Sequence, residues 1–172
     1  MRAPGLLLTC ATAVLLGGCA GYHLGPVNPD ARVAGGRSIE VLPFNNQTLQ
    51  PRLGDAVTQA LRERLQTDGT YKLATHGGGD LVVTGVITRY NREGLSYLNT
   101  DVATVENYRV AVIAHVTARE RSTGKILLDR NVNGYTLVHV GTDLASAERQ
   151  SLPLLAEDLA RNTVELLTEG AW

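Results

Sequence analysis

The chain has 172 residues, with 16 basic against 17 acidic side chains, a net charge of −1, and 44% hydrophobic but only 5% aromatic residues. That length suits one domain behind a short leader. The near-neutral balance excludes a broad basic footprint for nucleic acid, and no apolar stretch is long enough to cross a bilayer, which takes about 20 residues.

The first 18 residues read as a secretory signal. Arg2 supplies the positive start, residues 6–16 the apolar core, and Gly17 and Gly18 the small-residue exit. Cys19 follows at once, and Leu16-Gly17-Gly18-Cys19 resembles a bacterial lipobox, in which the cysteine takes a lipid and becomes the mature N-terminus. Cleavage there removes Arg2 and Cys10 and leaves Cys19 as the one cysteine, so the mature domain forms no internal disulfide. A single acyl chain holds a membrane only marginally, whereas the several carried by a cysteine of this type make a stable tether. Ala20, rather than Asp, follows the cysteine, which by resemblance to proteobacterial sorting favours the outer membrane. Residues 19–37, with Gly21, Gly25, Pro26, Pro29, Gly35 and Gly36, read as the lipidated N-terminus and an extended tether. Residues 38–172 then form a single α+β periplasmic domain.

Residues 38–44 alternate and are β-rich, predicting a strand that ends at Pro43. Residues 52–68 predict an amphipathic helix, because Leu53, Ala56, Val57, Ala60, Leu61 and Leu65 recur at offsets of three and four. Pro51 suits its first turn and Gly69 its C-terminal stop. Arg64 falls within the apolar stripe and is expected to lay its stem along the core with its head free. A short strand is expected at 71–74, a flexible break at Gly77-Gly78-Gly79, and a strand at 81–90. Residues 92–105 read as a long hairpin connection with apolar tips. Residues 108–118 alternate cleanly, with Tyr108, Val110, Val112, Ala114, Val116 and Ala118 on one face and Arg109, His115, Thr117 and Arg119 on the other. Ser122-Thr123-Gly124 turns the chain into a strand over 125–140, where Gly134 suggests a bulge or bend. The final helix buries Leu152, Leu155, Ala156, Leu159, Ala160, Thr163, Leu166 and Leu167 on one stripe. Arg161 stands between Glu157 and Glu165 on the other face. Pro153 fits a start near Ser151, while a start near Asp143 would require a kink.

Each helix has one apolar stripe, so both must cover an apolar surface, and one sheet face can bury both. The expected fold is α+β: a two-layer sandwich with two amphipathic helices on one face of a mixed four- to five-stranded sheet. Catalytic signatures are absent. His23, His76, His115 and His139 lack partners at metal-ligand spacing, no Gly-x-Ser-x-Gly elbow occurs, and the triple glycine lacks the Lys-Ser/Thr of a phosphate loop. No enzyme and no cofactor is expected. Asn46-Gln47-Thr48 fits the N-glycosylation pattern, but a bacterial lipoprotein gives no reason for its use.

Taken in order, these segments resemble the LPS-assembly lipoprotein family (LptE-like). The carriers are Cys19-Ala20-Gly21-Tyr22-His23-Leu24, the strand of residues 39–48, the helix ending at Asp68-Gly69, the strand of residues 80–87, the Thr123-Gly124-Lys125-Ile126-Leu127 hairpin and the last helix over 148–167. The resemblance implies a non-catalytic lipoprotein, anchored on the periplasmic side of the outer membrane. It would partner and plug a large outer-membrane β-barrel and help assemble lipopolysaccharide. A polar barrel lumen suits a compact guest of mixed charge. Under that resemblance Cys19 is the lipidation site, and Tyr22, His23, Leu95, Tyr97 and Leu98 are candidate barrel contacts. Arg89, Arg92, Arg119, Arg121 and Lys125 are candidate contacts for the anionic lipopolysaccharide, since guanidinium groups bind phosphate bidentately. The run from Ile39 to Gly85 also resembles the unit of curli-secretion and penicillin-binding-protein-activator lipoproteins, which makes a periplasmic scaffold of that type the alternative.

Overall fold

In the computed structural model, which describes residues 37–98, 101–139 and 143–169, eight elements follow one another. They are β1 (Ser38–Val41), β2 (Asn45–Asn46), α1 (Leu53–Asp68), β3 (Lys72–Leu73), β4 (Leu81–Leu98), β5 (Asp101–Glu120), β6 (Ile126–His139) and α2 (Leu144–Thr168). The strands form one mixed sheet in the order β3-β1-β4-β5-β6, with β2 also on β4. β1 pairs parallel with β3 and β4, and β4, β5 and β6 are antiparallel. The fold is the expected α+β sandwich, with six strands because the 38–44 stretch supplies only β1 and a further short strand, β2, forms just beyond it.

The alternation read in β5 sets the inner face. Val110, Val112, Ala114, Val116 and Ala118 are buried and lie opposite Gly134, Val132 and Leu128 of β6 and Ile87, Gly85 and Val83 of β4. Onto them pack Leu53, Val57, Leu61 and Leu65 of α1 and Leu155, Leu159, Val164 and Leu167 of α2, all buried in one core. Burying each such side chain is worth about 1.5–3 kcal/mol. Tyr71 closes one end of this core: its hydroxyl donates to the Leu167 carbonyl at 2.8 Å, and burial raises its phenol above the usual range.

Several expectations are corrected. α1 begins at Leu53, so Pro51 lies outside its first turn, and Arg52 enters it in the left-handed region (φ 61°). Gly69 does end it, also left-handed at φ 73°, with its N–H on the Leu65 carbonyl. Arg64 is half-buried between the helices, and its Nε finds no hydrogen-bond partner among the described residues. The strand expected at 71–74 is only Lys72–Leu73. Of the triple glycine, Gly77 and Gly78 are left-handed, whereas Gly79 is a tight packing point: a Cβ there would lie 2.6 Å from the Glu40 backbone nitrogen.

Of the expected connection, residues 92–98 and 101–105 are strand rather than loop, because β4 and β5 pair along nearly their whole length. Gly134 marks no bulge, since it pairs in regular register with Val112. It is glycine because α2 crosses there, where an added Cβ would lie 2.7 Å from the Leu159 nitrogen. α2 takes the early start. Asp143 caps it by accepting from the Ala145 and Ser146 N–H groups, and Pro153 sits inside the helix with its side chain exposed. Arg161 pairs with Asp158, not Glu157, and with Glu165 at 3.9 Å.

Candidate functional site

The basic hairpin turn is held from within. Arg121 donates its backbone N–H to the Asp80 carbonyl and its Nε to the Gly79 carbonyl, both at 2.8 Å, and its guanidinium pairs with Glu40. Glu120 pairs with Arg37 and accepts from the Thr123 hydroxyl. Arg121 thus clasps the turn to the β1 side of the sheet. Arg119 and Lys125 stay exposed and form no ion pair among the described residues. Asp80 completes the junction. It accepts from the Ser38 backbone N–H and hydroxyl, both at 2.8 Å, and these bonds hold its carboxyl below the ordinary value. The chain therefore enters the domain at Arg37 and Ser38 beside the β5–β6 turn.

The second basic pair lies further along β4. A register shift after Ile87 places Arg89 opposite Ile113 on the face away from the helices, while Arg92 stands opposite Val110 on the helix side. There Arg92 pairs with Glu148 of α2 at 3.1 Å. Both arginines still reach a groove of about 450 Å³ along the strand's margin, lined also by Gln47, Thr48, Leu49, Gln50, Thr88 and Tyr90. Arg89 is seven residues along β4 from Val82, the partner of Arg119, or roughly 23 Å. The two basic clusters are therefore separate surfaces and cannot share one phosphate.

One wall of that groove escaped the sequence reading. Asn46 Oδ1 accepts from the Thr48 N–H and hydroxyl, and its Nδ2 donates to the Gln50 carbonyl at 2.7 Å. The side chain that fits a glycosylation pattern is thus occupied in an Asx turn, the signal that could have revealed the loop. The turn holds Leu49 fully exposed at its tip.

The β4–β5 hairpin is the third surface. Among the described residues β6 pairs with β5 no further than Asn107 opposite His139, and beyond that point β4 and β5 pair only with each other, Tyr97 with Val105 and Leu98 with Asp101. The result is a two-stranded ribbon projecting past the rest of the sheet. Leu95 stands at its base, 50% exposed. Tyr97 and Leu98 are placed in the ribbon by register, while Cys19, Tyr22 and His23 lie outside the described residues.

Among the described residues no group of three or more His, Cys, Asp or Glu side chains could hold a metal. His115 links β5 to β6, with Nε2 2.7 Å from Asp129 and Nδ1 3.1 Å from Asn131, and His139 sits 2.9 Å from Asn107. These are cross-strand contacts on the exposed sheet face. No helix among the described residues is long and apolar enough to cross a membrane.

Comparison with known proteins gives a family match. The profile described as Lipopolysaccharide-assembly (LptE) matches residues 36–167. No curated protein matches the chain. Solved structures share its fold. A Xanthomonas campestris protein of the DUF330 family superposes with a TM-score of 0.56 at 12% identity, covering 78% of this chain and 86% of that one. A hypothetical protein of Chlamydia trachomatis gives 0.55 at 10%, covering 77% and 95%. A minor lipoprotein of Acinetobacter baumannii gives 0.51 at 13%, covering 80% and 94%. At such identities the likeness is one of fold.

Proposed function

We propose that this chain, which belongs to the lipopolysaccharide-assembly (LptE) family, is a lipid-anchored partner of a large outer-membrane β-barrel and works in its lumen. The family match over residues 36–167 carries the reading and supports a role in lipopolysaccharide assembly. The finer reading adds a signal at 1–18, lipid on Cys19, a tether to residue 37 and a non-catalytic domain on the periplasmic side of the outer membrane.

The geometry supports a division of labour along the sheet. Arg37 pairs with Glu120, so the tether joins the domain beside the β5–β6 turn. Arg119 and Lys125 therefore stand at the anchor end, free to meet lipopolysaccharide phosphates. Arg121 is a weaker contact than its neighbours, because binding outward would break its bonds to Glu40 and Gly79. Arg89 and Arg92 offer a second phosphate-binding surface in the groove. β4 has 18 residues, a span of roughly 55 Å, so the ribbon with Leu95, Tyr97 and Leu98 reaches well beyond the anchor end. That ribbon is the surface offered to the barrel wall, with Tyr22 and His23 contributing near the anchor.

The test is recovery of partners with the full chain from mildly solubilised envelopes. A large barrel protein and lipopolysaccharide should co-purify, and Cys19→Ala should release the chain from the membrane. Recovery without any barrel protein overturns the reading, and homo-oligomeric rings in its place would favour the curli-secretion type.

A further inference from the structure

Strand β6 is one edge of the sheet, and residues 131–139 of it include no Asp, Glu, Lys or Arg. An uncharged, β-prone edge of this length is a template for another strand. The first half of β6 carries its own guard in Asp129 and Arg130. The second half is guarded from α2. Asp158 accepts from the Tyr135 N–H at 2.9 Å, and Asn162 Nδ2 donates to the Asn133 carbonyl at 2.7 Å.

The register gives these bonds their meaning. Gly134 sits opposite Val112, and backbone groups of successive residues in an antiparallel pair turn alternately toward and away from the neighbour. The groups held by Asp158 and Asn162 thus face the open edge, where an added strand would bind. The spacing matches as well. Four residues of helix rise about 6 Å, and two residues of strand advance about 6.6 Å. Gly134 lets the helix come close enough, for a Cβ there would lie 2.7–2.9 Å from the Leu159 backbone, between the two guarding residues.

We propose that Asp158 and Asn162 keep β6 closed against the β6 strand of a second copy of this chain, so that the protein does not associate edge to edge. A second copy is the occupant because two identical edges pair antiparallel about a two-fold axis, each supplying the bonds the other lacks. Tyr135 and Leu137, 50% and 63% exposed on the face away from the helices, would add apolar contact across such a junction.

Sedimentation of the detergent-solubilised full chain tests this, with amide exchange read at Tyr135. The wild type should be monomeric at all concentrations. Asp158→Ala/Asn162→Ala should form dimers or larger species as concentration rises, and at low concentration its Tyr135 amide should exchange about tenfold faster. Adding Leu137→Lys to that variant should restore the monomer. A double variant that keeps its helical circular dichroism and stays monomeric overturns the proposal, as does a wild type already paired through β6. If the double variant loses helix, Asp158→Ser/Asn162→Ser decides. Its shorter side chains also withdraw both bonds while keeping a polar outer helix face, and association supports the guard while a persistent monomer overturns it.

Discussion

The two flanks of β5 are built differently. On the β6 side the sheet ends under α2, which buries Leu155 and Leu159 beneath it and meets the open edge with Asp158 and Asn162. On the β4 side the two strands run past the end of β6 as a ribbon whose backbone, among the described residues, pairs only with itself. A two-stranded ribbon is marginal in water without a layer to pack on. The contrast separates two uses of the same secondary structure: the covered flank carries the stability, and the projecting flank carries exposed apolar surface that contributes little to it.

The largest effect should come from the covered flank. Leu159 is fully buried, so Leu159→Ala should cost about 2–5 kcal/mol in denaturant unfolding. A loss under about 1 kcal/mol would mean that α2 is loosely seated and the contrast is false. Gly134→Ala should cost about 1–3 kcal/mol, because its new methyl meets main chain of α2 rather than a side chain that can swing away. Wild-type stability in that variant would show that the helix stands further from β6.

Acid should act on both ends of the structured core. The Asp143 carboxylate sits below its ordinary value through bonds from the Ser146 hydroxyl and the Ala145 and Ser146 N–H groups, and Asp80 through those from Ser38. A carboxyl depressed in the folded state stabilises it above the unfolded value, and that contribution disappears as pH falls through the folded value. Stability should therefore begin to fall below the ordinary carboxylate value of 3.8. Asp143→Asn, which still caps, should flatten that fall, and an unchanged pH profile would count against the cap. The smallest effect on folding belongs to the ribbon. Leu95→Glu should change stability by no more than about 0.5 kcal/mol, yet lower recovery of the barrel partner. Lost stability with partner recovery intact would reverse the assignment of the two flanks.

The parts legible in the sequence are those where one local pattern has one meaning. The period-two run of β5 could bury only one face, and the stripe of α1 only one side, so the layers followed. The ribbon was hidden because Gly94, Ser96 and Asp101 carry turn chemistry, and only the partner strand overrides it. Pro153 argued for a late helix start, and the Asp143 cap outweighed it. Of the candidate site, the basic residues were legible as types. The engagement of Arg121 with Glu40, 81 positions away, was not, nor was which face each of Arg89 and Arg92 takes: their spacing of three puts them on opposite faces, but the register shift after Ile87 decides that Arg92 is the one on the helix side.

Periodicity, caps and the cysteine pattern are short-range information, and from them the chain alone determined its fold class, its two helices and the alternating face of its longest strand. A glycine in a strand, by contrast, answers equally to a bulge, a bend or an approaching backbone. Only the packed structure decided that Gly134 makes room for α2, because that choice depends on where a helix twenty-five positions later comes to rest.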